Sequence, residues 1–516
     1  IVSGTDRADC LANLRKALDE TVVYGVVTNL DYLRAIVNSE MFETAKVATK
    51  VLDSFTYTPL AVEITAPGSY TTVQDYPGRV KLWHIGVPPS GPMDAYAFRL
   101  ANRIVGNDAK APAIENTLVG PSVLFHCDTV IALTGGTSNA TIDGNPVDFW
   151  KPIEVKAGQK LVIGKLSNGC RSYLAIRGGI DVPEYLGSRS TFALGTMGGF
   201  SGRCLKFGDV LFLGNPDVSS NTIPAPIASP APVPTSIIPA PLLSDTKGPI
   251  TWNVGVTVGP HGSPDFFTEA SIAKFFDSEW KVHYNSNRFG VRLVGPKPEW
   301  ARKDGGEAGL HPSNAHDYVY SLGAVNFTGD EPVILTCDGP SLGGFVCAAV
   351  VVEAEMWKIG QVKPGDLIKF VPITFDEAIE LKKWQDKVID GLVDTAPLTI
   401  VEDALIRSEI AKSSPVLYHH EASATLPKVV YRQAGDRYIL VEYGENIMDL
   451  NLSYRVYKLT EAVFGNNTKG VVEMSPGVRS VLIEFNGLIT GQQELLKTLI
   501  GYEESLKLVE NWQVPS

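Results

Sequence analysis

Proline donates no backbone hydrogen bond and fixes φ, so a run dense in proline is neither helix interior nor sheet interior. Nine prolines fall between Pro216 and Pro249, with Ser and Ala between them. Residues 214–249 are therefore expected to be an extended, semi-rigid linker with no core of its own. The 516 residues leave room for three or four domains around it at roughly 150 residues each.

Both flanks carry the same texture. Short apolar runs alternate with Gly and Pro turns over 57–213 (Ala61–Ile64, Val123–Phe125, Val130–Leu133, Lys160–Ile163, Ser172–Ile176) and over 250–395 (Thr251–Val258, Arg292–Val294, Val333–Thr336, Val346–Val352). That spacing predicts mostly β domains, barrel or sandwich. One helix interrupts the first, about Ala95 to Val105, with Phe98, Leu100, Ala101 and Ile104 apolar. A second closes the other, Phe375 to Leu392, with Thr374 and Glu377 placed for a capping box.

Residues 1–56 read as helical, with Ser3 or Thr5 as a cap, a short strand Thr21 to Val27, and a second helix opening at Thr28 or Asn29. Residues 396–427, with His419 and His420, form a spacer. Residues 428–516 predict a compact βαββα unit: strand Tyr438–Tyr443, helix Leu450–Val463, strands Val471–Met474 and Ser480–Phe485, helix Gly491–Leu508. The fold class is mainly β with α+β parts.

The formal charge of −12 without a basic stripe argues against nucleic-acid binding. Six scattered cysteines, none in a CxxC pair, argue against a zinc site and for a reducing compartment. With no apolar run of 18 residues and no signal peptide, a cytoplasmic protein away from membranes is expected. The first residue, Ile1, reads as the inside of a domain, so the chain is expected to be a segment of something longer. Phosphate-loop and HExxH patterns are absent.

Four polar clusters remain: Gln74 to Arg79; Gly86 to Asp94; Arg302 to Glu307 running on through His311 to Asp317; and Asn326 to Asp330 with Asp338 to Phe345. Each has turn composition. The third differs, because it packs Lys303, Asp304, Glu307, His311, His316 and Asp317 into sixteen residues together with flexible glycines. A turn needs no such density of titratable groups. The spacing of His311 and His316 does not diagnose a metal site, and none is assigned.

In these clusters VQDYPGR, GVPPSGPMD, SRSTF followed by GG, and DGPSLGGF resemble the carboxyltransferase domain of the urea carboxylase family, across about 60–392. The same motifs occur in bacterial 5-oxoprolinase subunits and in the allophanate hydrolase subunit 2 type. Residues 428–512 resemble the start of the companion subunit 1 type. SGTDRADC and ALDETVVYGVVTNLDYLRAI resemble the tail of a biotin carboxylase domain, of the kind seen in fungal urea amidolyases. That order selects urea carboxylase over 5-oxoprolinase.

The resemblance implies cyclophilin-like β-barrels and carboxyl transfer from carboxybiotin to urea, giving allophanate. It implies biotin on a carrier domain, and ATP with Mg2+ at a biotin carboxylase domain, both outside this segment. The partners implied are urea and those two domains of the same polypeptide.

Urea offers one acceptor and four N–H donors, so its seat needs a carboxamide or carboxylate and a donor for the carbonyl. Asn326 and Asp338 are the leading candidates on the substrate side. Glu307, His311, Asn314, His316 and Asp317 are placed around them. Lys303 and Arg288 are candidates for oxyanion or carboxylate stabilisation. Gln74, Tyr76 and Ser90 are candidates on another face. The groups between 300 and 345 are expected to gather around one buried cavity. Asn326 in VNFTGD, where guanidine-using relatives carry Asp, favours neutral urea over cationic guanidine. Two alternatives compete: a biotin-free 5-oxoprolinase-type hydrolase component, and a non-catalytic binding module of the same fold.

Overall fold

The computed structural model describes the chain except residues 22, 24–27, 215–227, 244–247, 304, 307–309, 402, 424–425, 446, 448 and 507–516. The chain divides into two compact units, Ile1–Gly78 with Tyr96–Asp245, and Arg79–Ala95 with Thr246–Ser516.

In the first unit Asp6, rather than Ser3 or Thr5, caps the helix Arg7–Glu20 by accepting from the Asp9 N–H. A second helix, Leu30–Val37, follows Asn29. Most of the expected strand Thr21 to Val27 lies outside the described residues. The β region forms a six-stranded and a five-stranded sheet rather than a closed barrel. Val62, Ile64, Val123, Phe125 and Leu161 of one sheet and Val73, Ile114, Leu133 and Leu174 of the other fill one core.

The proline-rich stretch departs from expectation where it is described. Ile237 and Leu242 are buried. Tyr96 Oη donates to the Ile237 carbonyl and Asn168 Nδ2 to that of Leu242. Proline removes donors but leaves carbonyls, so such a segment can still dock by accepting from side chains.

The second unit is built on a closed seven-stranded barrel. Around it run Thr251–Val258, Cys347–Val351, Ala324–Thr328, Glu331–Leu335, Gly290–Val294, Glu279–Val282 and Leu367–Pro372. Parallel pairing of Thr251–Val258 with Leu367–Pro372 closes the ring. The helix Phe375–Gly391 then starts on the expected Thr374/Glu377 capping box.

Beyond that helix, the expected spacer holds structure of its own. The helix Ala404–Ala411 is followed by the strand Val416–His420, which places His419 and His420 in a sheet. With Val429–Gln433 this gives five antiparallel strands, ordered Val416–His420, Val429–Gln433, Tyr438–Tyr443, Ser480–Phe485, Val471–Pro476. The helices Leu450–Gly465 and Gln492–Ser505 pack on one face through Tyr431, Ile439, Val441, Val481 and Ile483. Alternation turns Leu440, Glu442 and Leu482 to the other face, which is also covered, and every residue of Tyr438–Tyr443 is buried. Among the described residues no helix is long and apolar enough to cross a membrane.

Two buried charged groups tie this unit together. Arg288 grips Asp338 with Nε and Nη2 at 2.7 and 3.1 Å, and Nη2 also donates to the Gly91 carbonyl at 2.9 Å. The Ser90 N–H reaches the Cys337 carbonyl at 2.9 Å, and Gln361 Nε2 donates to Asp94 at 2.6 Å. A Cβ at Gly360 would lie 2.4 Å from the Met93 carbonyl oxygen, so only glycine lets the Gly86–Asp94 segment approach. Elsewhere the Glu353 N–H donates to Asp436, Arg437 pairs with Glu353 and Glu484, and Lys382 pairs with Glu353 and Asp386.

Removing one member of a buried pair leaves an uncompensated charge. Arg288→Ala should therefore lower stability by about 3–5 kcal/mol in thermal melts. Arg288→Ala with Asp338→Ala should lose less than the two single losses summed. Burial, then Glu353, pushes the Asp436 carboxyl up from 3.8 to about 6. The folded chain thus binds this proton more tightly than the unfolded chain, and stability falls as pH rises from about 4 to about 6. Asp436→Asn keeps the acceptor for Glu353 and should flatten that slope. Melting temperatures of both proteins across this pH range would measure it.

Candidate functional site

The Ala324–Thr328 strand alternates, and its two faces meet different surroundings. Phe327 packs against the rings of Phe267, Phe275, Trp280 and Trp300, with centroids 5.3, 6.0, 6.3 and 5.8 Å away. Asn326, one residue away, turns to the opposite side, where it lines a cavity with His261, Tyr318, Tyr320, Cys347, Leu440 and Leu482. That cavity measures about 10 Å³, the space of a single water.

Asn326 is 2% exposed, and neither Oδ1 nor Nδ2 has a hydrogen-bond partner. An unsatisfied buried amide is costly, so a water or ligand in this cavity would be stabilised by completing it. His261, 1% exposed, sits on the turn after Thr251–Val258. Its backbone N–H donates to the Cys347 carbonyl at 3.1 Å, and its Nδ1 accepts from the Cys347 N–H at 2.8 Å. The ring lies 3.9 Å from Tyr318 and 4.8 Å from Phe266 between centroids. Burial pushes the imidazole down to about 3, against Glu442 and with help from Arg432, Arg302 and Arg479. Burial likewise raises the Cys347 thiol to about 12, so it lines the cavity as a neutral thiol.

Behind the cavity Tyr318 Oη donates to Glu442 at 2.8 Å, and Arg432 Nε reaches the same carboxylate at 2.7 Å. Arg479 Nη2 lies 3.3 Å from it. Burial works to raise Glu442, but Arg432 and then Arg479 outweigh it and hold the carboxylate ionised. A Cβ at Gly343 would lie 2.1 Å from Tyr320 Oη, so this glycine of the DGPSLGGF motif leaves room for the ring that lines the cavity.

The expected single cavity for the groups between 300 and 345 does not form among the described residues. His311 is exposed, with Nδ1 2.9 Å from Ser313 Oγ and Nε2 3.4 Å from Asp330. Asp330 is also held by Trp300 and Lys297 at 3.2 Å each. Lys303 is exposed. Asn314 opens the ribbon Asn314–Val319, pairs across to Phe345, and accepts from Arg302 through its carbonyl. Asp338 and Arg288 neutralise each other in the clamp already described, which removes Asp338 as an open acceptor. Glu307 lies outside the described residues, as do the side chains of His316 and Asp317. Among its described residues, this densely polar, glycine-rich segment satisfies its charges locally or at the surface.

Of the remaining candidates, Ser90 is buried at φ +55°, and its Oγ has no partner. Gln74 and Tyr76 belong to the first unit. There Gln74 Nε2 donates to Thr72 and Thr191, and Arg99 lies over the Tyr76 ring at 4.8 Å. Sequence reasoning missed His261, Cys347, Glu442, Arg432 and Arg479. The Gly259-Pro260-His261-Gly262 turn was the available signal for the first. The others look like ordinary strand residues.

Residues 85–372 match the family described as carboxyltransferase domain, subdomain A and B. Residues 429–514 match carboxyltransferase domain, subdomain C and D, and residues 1–54 match the biotin carboxylase C-terminal domain. The chain is 62% identical over its whole length to the urea amidolyase of Lachancea kluyveri, of which it spans 28%. It superposes with a TM-score of 0.92 on the crystal structure of the Kluyveromyces lactis urea carboxylase, at 58% identity, covering 99% of this chain and 45% of that one. A 5-oxoprolinase component of Escherichia coli K12 is 33% identical over 64% of this chain and 97% of its own length. With more than half its residues in the match to subdomains A and B, the chain belongs to the carboxyltransferase domain family.

Proposed function

We propose that this chain carries out the carboxyl-transfer half of an ATP- and biotin-dependent urea carboxylase in the cytosol, converting urea to allophanate. The observation that carries the reading is Asn326: a carboxamide 2% exposed, unpartnered at both heteroatoms, inside the carboxyltransferase region. Its Oδ1 suits a urea N–H and its Nδ2 a urea carbonyl. A neutral amide in a buried site suits a neutral substrate, because a buried cation would demand an ionised partner.

In this reading biotin, its carrier, ATP and Mg2+ belong to domains of the same polypeptide beyond this segment. The fused rings of biotin do not fit the water-sized cavity beside Asn326, so no residue here is assigned to them. The four heavy atoms of urea also exceed the space of a single water, so in this reading the lining side chains must move apart when urea binds. What the chain contributes is orientation, a polar seat and exclusion of water from the reacting carboxyl group. When bound, carboxybiotin would supply the carboxyl group by cleavage of its ureido N–C bond and take up the proton lost by the urea nitrogen that bonds the carboxyl carbon, leaving allophanate and biotin. The whole-length match to urea amidolyase supports fusion to an allophanate-hydrolysing domain in the parent chain.

The test uses the full-length enzyme with urea and guanidine as competing substrates. Asn326→Ala should lower kcat/KM for urea by about a hundredfold, the order expected for losing a buried orienting group. Asn326→Asp should shift the preference toward guanidine. No gain of guanidine over urea would count against the reading.

A further inference from the structure

The cavity beside Asn326 is lined by a second unpartnered polar group, and its chemistry is fixed by the backbone. The His261 ring is held at Nδ1 by the N–H of Cys347, 2.8 Å away. An N–H can only donate, so Nδ1 is the acceptor and the ring proton resides on Nε2. That Nε2 is buried and has no hydrogen-bond partner. The ring cannot swing away, because Tyr318 and Phe266 lie edge-on to it and the residue's backbone N–H is tied to the Cys347 carbonyl.

The charged groups around it keep it neutral. Arg302 lies over the Phe266 ring, while Arg432 and Arg479 share Glu442 with Tyr318. Burial and these three cations, opposed by Glu442, hold the imidazole far below neutrality. The cavity therefore carries a fixed N–H donor that never becomes a cation or an acceptor in the physiological range.

We propose that His261 is the residue that selects a carbonyl-bearing substrate, donating its Nε2–H to the urea oxygen while Asn326 holds the nitrogens. This deepens the urea reading and rests on the Asn326 cavity being the urea seat. The discriminating logic is one of hydrogen-bond polarity. Urea offers an acceptor oxygen opposite a donor. Guanidinium offers N–H groups only, and two donors facing each other in a dry site leave both unsatisfied. His261 thus rejects guanidinium by a mechanism separate from the neutral charge of Asn326.

Two variants separate this role from packing. In the full-length enzyme His261→Leu fills the site without a donor, whereas His261→Gln retains one. His261→Leu should lower kcat/KM for urea by about a hundredfold. His261→Gln should stay within about tenfold of the unmutated enzyme. Equal effects in the two variants, both retained or both lost, overturn the proposal. Asn326→Ala measured alongside distinguishes the failures. If it leaves urea turnover intact, the cavity is not the urea seat. If it abolishes turnover while His261→Leu does not, only the role of His261 falls. Should His261→Leu fail to fold, nitrogen NMR of labelled histidine in the unmutated protein decides. His261 should stay neutral with its proton on Nε2 from about pH 5 to about pH 9, and the Nε2 signal should move on adding urea. A ring that titrates in that range, or one protonated on Nδ1, overturns the proposal.

Discussion

The covering of the barrel's outer face by the five-stranded sheet is the contact on which the rest depends. Glu442 is its centre. One carboxylate, buried on the face of the sheet away from its helices, accepts from Tyr318 of the ribbon and from Arg432 and Arg479 of the sheet itself. Arg432 also donates to the Pro260 carbonyl next to His261. Such a network is worth having only if every member is satisfied, because the low-dielectric interior that strengthens it also penalises each missing partner. Here the carboxylate meets two guanidinium groups and a phenol. Leu440 and Leu482, alternating with it on the same face, close over Asn326.

That arrangement explains how unsatisfied polar groups survive at the cavity. Asn326 and His261 each leave hydrogen-bonding capacity unused, at a cost on the order of 1–3 kcal/mol apiece. The surrounding charges and aromatic rings fix their orientation, so the capacity is not absorbed by relaxation. The Arg288–Asp338 clamp does a different job. It holds the Gly86–Asp94 segment to the barrel, and its charges are consumed in doing so.

Much of the fold was legible in the residues. The capping box at Thr374 and Glu377, the helix from Ala95 and the β texture on both sides of the prolines follow from local rules, and the structure has them where those rules put them. The proline-rich stretch and the spacer were misread for one shared reason. Composition reports what a segment cannot donate, but docking through carbonyls and pairing with a distant strand are decided by neighbours that composition does not contain. At the site, Asn326 was legible because it stands in a motif. The polar density of 302–317 misled, since titratable groups crowded in sequence can equally be solvated at a surface, as His311 and Lys303 are.

By itself the sequence determined the element types, the two β regions and the family, because these rest on periodicity, turn chemistry and long ordered motifs. Only the tertiary structure decided which polar groups lose water together. Glu442, more than a hundred residues after His261, shares its surroundings only because the sheet folds back over the barrel. Burial, and with it the fixed neutral state of His261 and the open valence of Asn326, is a property of that packing. No local pattern encodes it, since desolvation depends on what covers a side chain from every direction.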